Sequence, residues 1–158
     1  MNTKQFNKIV IVSLCDRYTK KLAKFLSQSL DMMFCDTKDL IEYELIDKKT
    51  LKKFASKEYL KNAERSVFRH IASYTNILVN INFDYLVHNI DLLKENSLII
   101  FVRLPKIFIK ENSNVIQNIA YDERTKRLEG VCDLTVNVKK LEIDFVARKI
   151  IEEIGGIL

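Results

Sequence analysis

Four β-branched apolar residues in a row, Ile9, Val10, Ile11 and Val12, lead through a short turn into an amphipathic stretch, and this order constrains the fold more than any other feature of the chain. A continuous apolar run of that length reads as a strand covered on both faces, the condition of a parallel sheet flanked by helices. The unit then recurs. Leu22, Phe25, Leu26 and Leu30 repeat at helical spacing and predict a helix over 19–30. Positions 32–35 form a second apolar run, after which Asp36-Thr37 offers N-cap chemistry to a helix holding Leu40, Ile41 and Leu45. Ser56 is placed to cap a longer helix with Leu60, Ala63, Val67 and Ile71 inward and Lys57, Lys61, Glu64 and Arg65 outward. A third strand is expected over 77–83 and a helix over 85–95, with Leu86, Ile90 and Leu93 inward and Asn96-Ser97 as its breaker. The fourth strand, 98–102, closes at Leu104-Pro105, the only proline in the chain. A short helix around 113–121, a charged stretch at 122–127 and a fifth strand at 134–138 follow. A strongly amphipathic last helix carries Ile143, Val146, Ala147, Ile150, Ile151 and Ile154 and is expected to stop at Gly155-Gly156.

Strands and helices alternate with no hairpin signal between consecutive strands, which calls for right-handed βαβ crossovers. The expected fold class is therefore α/β, a three-layer α/β/α arrangement around a five-stranded parallel sheet. With 158 residues, 47% of them hydrophobic, a single domain over 1–158 is expected, large enough to bury roughly 70% of the surface its unfolded chain exposes. No apolar run reaches the ~20 residues of a membrane span, and the polar N-terminal residues have no apolar segment behind them, so a cytoplasmic protein without membrane contact is expected. Cys15, Cys35 and Cys132 are odd in number and scattered among apolar neighbours, as reduced core thiols would be; without Cys-x-x-Cys or His-x-x-x-His spacing, no metal site is expected. The net charge of +5 comes from lysines interleaved with acids rather than from a basic run, which argues against a nucleic-acid surface.

In open parallel sheets, ligands sit at the carboxyl ends of the strands. That places the candidate site at residues 13–20, the start of the Asp36 helix, positions 80–83 and the segment around Arg124. A buried strand running into a helix N-terminus is also where nucleotide-binding α/β proteins hold phosphate, on free backbone N–H groups and the positive end of the helix dipole. The phosphate-loop pattern G-x-x-x-x-G-K-[ST] would fall on Ser13, Asp16, Tyr18, Thr19 and Lys20, with Asp16 where many kinases add a glycine. No glycine is present at any of these positions, and the lysine comes one place late.

Residues 26–42, LSQSLDMMFCDTKDLIE, carry Phe34, Asp36, Thr37, Ile41 and Glu42 at the spacing F-x-D-T-D-x-x-I-E, and residues 58–64, EYLKNAE, end on the spacing F-R-x-x-E with Leu60 and Lys61 in place of Phe and Arg. Together with ILVNINF at 77–83 and an Arg124 that precedes Val131-Cys132-Asp133, this series resembles the shikimate kinase family over nearly the whole chain. These are small P-loop kinases of aromatic amino acid biosynthesis that phosphorylate the 3-hydroxyl of shikimate with MgATP. The resemblance implies a P-loop kinase fold, and it implies that Asp36 stands near the magnesium site and Arg124 at the arginine that grips substrate carboxylate. It also implies that Thr19 replaces the phosphate-loop lysine, that Lys38 reverses the charge of a substrate-binding aspartate, and that Ile81, Asn82 and Phe83 occupy a triple-glycine loop. Leu128 stands for a tyrosine, and Lys61 keeps a charge without the bidentate fork of arginine. The lid region between Pro105 and Arg124 offers Lys106 and Lys110 but no lid arginine.

Each matched residue also has a structural role open to it. Asp36 serves equally as a helix N-cap, Glu42 and Glu64 as solvated helix charges, Arg124 as a partner of Asp122 or Glu123, and His70 and His88 as lone surface or boundary residues. The expectation is a non-catalytic relative, a pseudoenzyme that binds a protein or small anionic ligand and needs no cofactor. The alternative is an active ATP-dependent phosphotransferase in which Lys20 or Lys21 supplies the missing cation, with ATP and magnesium as cofactors. Loop glycines, lysine and substrate aspartate fail together, and groups that act as a unit in phosphoryl transfer leave little activity when lost together.

Overall fold

The computed structural model describes residues 7–44, 56–112 and 118–157. In chain order the elements are β1 (Lys8–Val12), α1 (Asp16–Ser29), β2 (Met33–Asp36), α2 (Thr37–Glu44), α3 (Lys57–Ser73), β3 (Ile77–Ile81), α4 (Phe83–His88), α5 (Ile90–Leu93), β4 (Leu98–Arg103), α6 (Lys106–Asn112), α7 (Asn118–Val131), β5 (Leu134–Asn137) and α8 (Ile143–Ile157). The five strands form one sheet in the order β2-β3-β1-β4-β5 with every pair parallel, and helices cover both sides. The expected three-layer α/β/α fold is therefore the observed one.

Burial follows strand position. The three central strands are enclosed on both faces, so the run Ile9 to Val12 pairs residue for residue with Leu78 to Ile81 on one side and with Leu98 to Phe101 on the other. The edge strands β2 and β5 are only half-buried and correspondingly mixed in composition. Helix α1 packs against β1, β2, β3 and α8 through the stripe Thr19, Leu22, Ala23, Leu26 and Ser27. Phe25, expected on that stripe, falls beside it and is exposed.

The chain has three glycines in all, so its tight turns use other residues. Asp31, Asn76 and Asn96 adopt left-handed backbone (φ 54°, 56° and 58°) just before β2, β3 and β4. Asp and Asn tolerate that region better than other side chains because a short polar group bonds locally. The helix expected over 85–95 is two short helices parted at Asn89, whose amide donates to the Tyr85 carbonyl at 2.9 Å. The third strand ends at Ile81 instead of 83, because Asn82 caps α4 by accepting the Tyr85 N–H at 2.8 Å. Ser56 caps α3 as expected, accepting from Tyr59 N–H at 3.1 Å.

The charged stretch 122–127 lies inside α7, a helix longer than expected, and Lys106–Asn112 is a further helix that the sequence pattern did not announce. The last helix continues through Gly155-Gly156, neither of which takes a positive φ. Leu45, and residues 113–117 of the helix expected around 113–121, lie outside the described residues.

Candidate functional site

The turn after β1 is short. Only Ser13, Leu14 and Cys15 separate the strand from α1, which opens at Asp16 rather than at the expected 19. Asp16, Tyr18, Thr19 and Lys20 therefore belong to the first turns of a helix, not to an extended loop. The turn closes on itself. The Cys15 N–H donates to Ser13 Oγ at 3.0 Å, the Thr19 hydroxyl donates to the Cys15 carbonyl at 2.9 Å, and the Ser13 and Thr19 hydroxyls are hydrogen-bonded to each other. Both hydroxyl residues are buried.

Next to this turn lies a polar network that joins three strands' ends. Asn80, fully buried in β3, donates from Nδ2 to Asp16 Oδ1 at 3.1 Å and to Asp36 Oδ1 at 2.8 Å. The Thr37 hydroxyl donates to the Asn80 carbonyl at 3.0 Å. Asp36 has the capping role open to it, since its Oδ2 accepts the Asp39 N–H at 3.1 Å in the first turn of α2. Lys20 Nζ donates to Asp39 at 2.7 Å and stands 3.7 Å from Asp36, and the hydrogen bond to Asp39 leads the causes that hold its ammonium above the usual range. Burial, then the nearby Asp36 charge, raises the Asp16 carboxyl above the usual range; Asn80, Lys38 and Lys20 pull the other way.

A cavity of about 320 Å³ opens beyond the carboxyl ends of β1 and β3. It is lined by residues 13–17, by Asn82, Phe83 and Asp84, and by Asn112 and Arg124. The Arg124 guanidinium lies 4.9 Å from the centroid of the Phe83 ring, so its face is taken by an aromatic. Asp122, an expected partner of Arg124, is instead paired with Lys106 at 3.1 Å.

The structure thus brings Ser13, Asp16, Asn82, Phe83 and Arg124 to one cavity and places Lys20 and Asp36 in the adjoining network. Other candidates stand elsewhere. Ile81 is buried in β3 and does not line the cavity; Lys61 is exposed on α3; Lys38 is exposed on α2 and reaches Asp16 only through its field. Thr19 is sealed under the turn. Tyr18 turns to the other side, its hydroxyl donating to the Leu141 carbonyl at 2.8 Å and its ring meeting Phe108 edge-on at 5.6 Å. Burial and the Glu142 charge push that hydroxyl up to about 12.

Arg17 and Asn80 fall inside the expected segments 13–20 and 80–83, though neither was assigned a role there, and Asp84 and Asn112 were not singled out. Asn80 had a signal: it is the one polar residue in the strand Ile77–Ile81, and a buried amide in an apolar strand needs partners. His70 and His88 are exposed, His70 standing 3.4 Å from Glu44. Cys35 and Cys132 are free thiols pushed up by burial to about 11 and about 12, which leaves little reactive thiolate at neutral pH. Among the described residues, no group of three His, Cys, Asp or Glu gathers as a metal centre, and no helix is long and apolar enough to cross a membrane.

No protein-family model matches the sequence, and no curated protein matches it either. Solved structures do match in fold. Shikimate kinase from Aquifex aeolicus vf5 superposes with a TM-score of 0.76 at 17% identity, covering 94% of this chain and 96% of that one. Shikimate kinase from Bacteroides thetaiotaomicron gives 0.74 at 14% identity, with 94% and 98% covered. Shikimate kinase from Acinetobacter baumannii, in complex with shikimate, gives 0.71 at 14% identity, with 96% and 94% covered. At such identities the likeness is one of fold: five parallel strands and their helices arranged as in shikimate kinases.

Proposed function

We propose that this chain is a cytoplasmic shikimate kinase-like protein that keeps the kinase fold without phosphoryl transfer and acts by binding a small anionic ligand or a protein. The observation that carries the reading is Asp16. Its carboxylate stands in the first turn of α1, hydrogen-bonded to Asn80, at the strand-to-helix junction where a nucleotide phosphate would need positive charge and free N–H donors. Two like charges 4 Å apart repel by about 4 kcal/mol at an effective dielectric of 20, so a phosphate placed there meets a penalty in place of an attraction.

Two further features support it. The Cys15 N–H is already bonded to Ser13, and Lys20, the first lysine after the turn, is held by Asp39 and Asp36. A triphosphate with its magnesium does not fit this set of groups, and no cofactor is proposed. The cavity beside it, with Arg17 and Arg124 on its walls, has the charge to take a small anion, though Asp16 and Asp84 restrict which.

One observation favours a second reading. Lys20 is only 42% exposed and already points toward Asp36, so breaking its ion pairs would free a cation near the site for an ATP- and magnesium-dependent phosphotransferase. A coupled assay for ADP release separates the two. The proposal expects no release that rises with shikimate. Release that does so, and is lost in Lys20→Ala, would overturn it in favour of the second reading.

A further inference from the structure

Helix α8 buries one face and leaves another to solvent. Val146, Ala147, Ile150 and Ile154 are buried, while Phe145, Arg148, Lys149 and Glu152 recur at i, i+3, i+4 and i+7 on a second face. The turn that leaves β5 brings Lys139 and Lys140 to the same place, and these six residues line a groove of about 480 Å³. Four cations stand there against a single acid, Glu152.

Several exposed cations elsewhere are matched by acids, Lys20 by Asp39, Arg103 by Glu129 and Lys106 by Asp122. The groove differs. Among the described residues only Arg148 of its four cations is in an ion pair, an exposed i,i+4 contact with Asp144 at 3.7 Å that contributes little. Lys140 lies over the Phe145 ring, 5.3 Å from its centroid, and Lys149 donates to the Asn137 carbonyl. Neither partner cancels the positive charge, and cations gathered in a concave surface reinforce one another's field toward an anion.

We propose that this groove is a docking surface for an acidic segment of a partner protein, whose carboxylates meet Lys139, Lys140, Arg148 and Lys149 and whose apolar side chain meets Phe145, 44% exposed. Charge complementarity selects the carboxylates. The rest of the face argues against the other anionic surfaces. A bilayer is held by a helix with an apolar face free to enter it, and the apolar positions of α8 are spent on the core. Single-stranded nucleic acid is held by stacking on several aromatics, whereas Phe145 is the one aromatic lining the groove and Lys140 lies over its ring. The cavity beyond β1 and β3 shares no residue with this groove, so docking here does not depend on what that cavity holds.

The test follows the fluorescence anisotropy of a short labelled peptide of glutamates interrupted by leucine, titrated with the full chain. The same peptide with glutamine for glutamate is the control. The expected result is saturable binding of the glutamate peptide alone, weakening as salt is raised from about 50 to about 200 mM. Lys139→Glu combined with Lys140→Glu should lower affinity about tenfold or more, and Glu152→Gln should raise it about twofold. Lys57→Glu combined with Lys94→Glu changes net charge equally at exposed positions outside the groove and should leave affinity within about twofold. All four positions are exposed, and an unchanged thermal midpoint verifies that each variant is folded. Binding no tighter than to the glutamine peptide overturns the proposal. So does an equal loss in the two double variants, which would reduce the effect to net charge. Tighter binding to phosphatidylserine vesicles or to a thymidine oligonucleotide than to the glutamate peptide, lost in the Lys139 and Lys140 variant, would overturn it in favour of that other partner class.

Discussion

Lys8 has a role that only the fold makes visible. It begins β1, is buried, and its ammonium donates to the Ala72 carbonyl at 2.8 Å, in the last turn of α3, where the helix dipole favours a cation. Burial lowers its pKa below the usual 10.5. The folded protein therefore holds this proton less tightly than the unfolded chain does. Between the lowered value and 10.5 the unfolded chain binds more protons, so this group makes stability rise with pH across that window. The urea midpoint of the wild type, relative to that of Lys8→Met, should increase as pH is raised through the window. A relative decrease would contradict the assignment. Asn80 shows the same gap between sequence and structure. Its polarity within an apolar strand was readable, but its partners come from positions 16 and 36, and pairings over such distances depend on strand order rather than on local pattern.

At the scale of elements, the long amphipathic segments were legible because burial repeats with the helical period. Val67 and Ile71 on α3, and Val146, Ala147, Ile150 and Ile154 on α8, are buried as their spacing requires. Interruptions were harder to read. Arg65, expected to face solvent, instead ties α3 to the α4–α5 junction: its guanidinium donates to the His88 carbonyl and Asn89 Oδ1, each at 3.2 Å, and pairs with Asp91. Arg65→Ala should cost about 1–3 kcal/mol in urea unfolding, and Arg65→Lys should recover only part of it, because a single ammonium cannot span three acceptors. Full recovery by lysine would reduce the contact to simple charge.

Glycine misled in a related way. Gly155-Gly156 reads as a helix stop, yet α8 runs through it, since the apolar face continues to Ile154 and packing outweighs a propensity cost of about 1 kcal/mol per glycine. Gly130 in α7 is likewise helical, and a Cβ added there meets nothing within 4 Å. Gly130→Ala should stabilise the protein by about 0.5–1 kcal/mol, measured by the same unfolding experiment. A loss of stability would contradict this reading of the position.

For the whole molecule, the layer architecture followed from alternating strands and helices, and the cavity lies where a parallel sheet places ligands, beyond the carboxyl ends of β1 and β3. Strand order and the contents of the site did not follow from pattern alone. Lys61, Lys38 and Ile81, aligned with substrate-binding positions by resemblance, do not line the cavity, while Asp16 and Arg124 do. The central claim, that α1 begins with a carboxylate where a nucleotide phosphate would bind, concerns this one junction. Its most direct test is a thermal-denaturation titration with MgADP and MgATP, referenced to the same concentrations of magnesium chloride so that cation binding alone is subtracted. The account predicts no nucleotide-dependent rise in the midpoint at millimolar concentration. A site of micromolar affinity would add about 4 kcal/mol under those conditions, and a saturable rise of that kind would contradict the account.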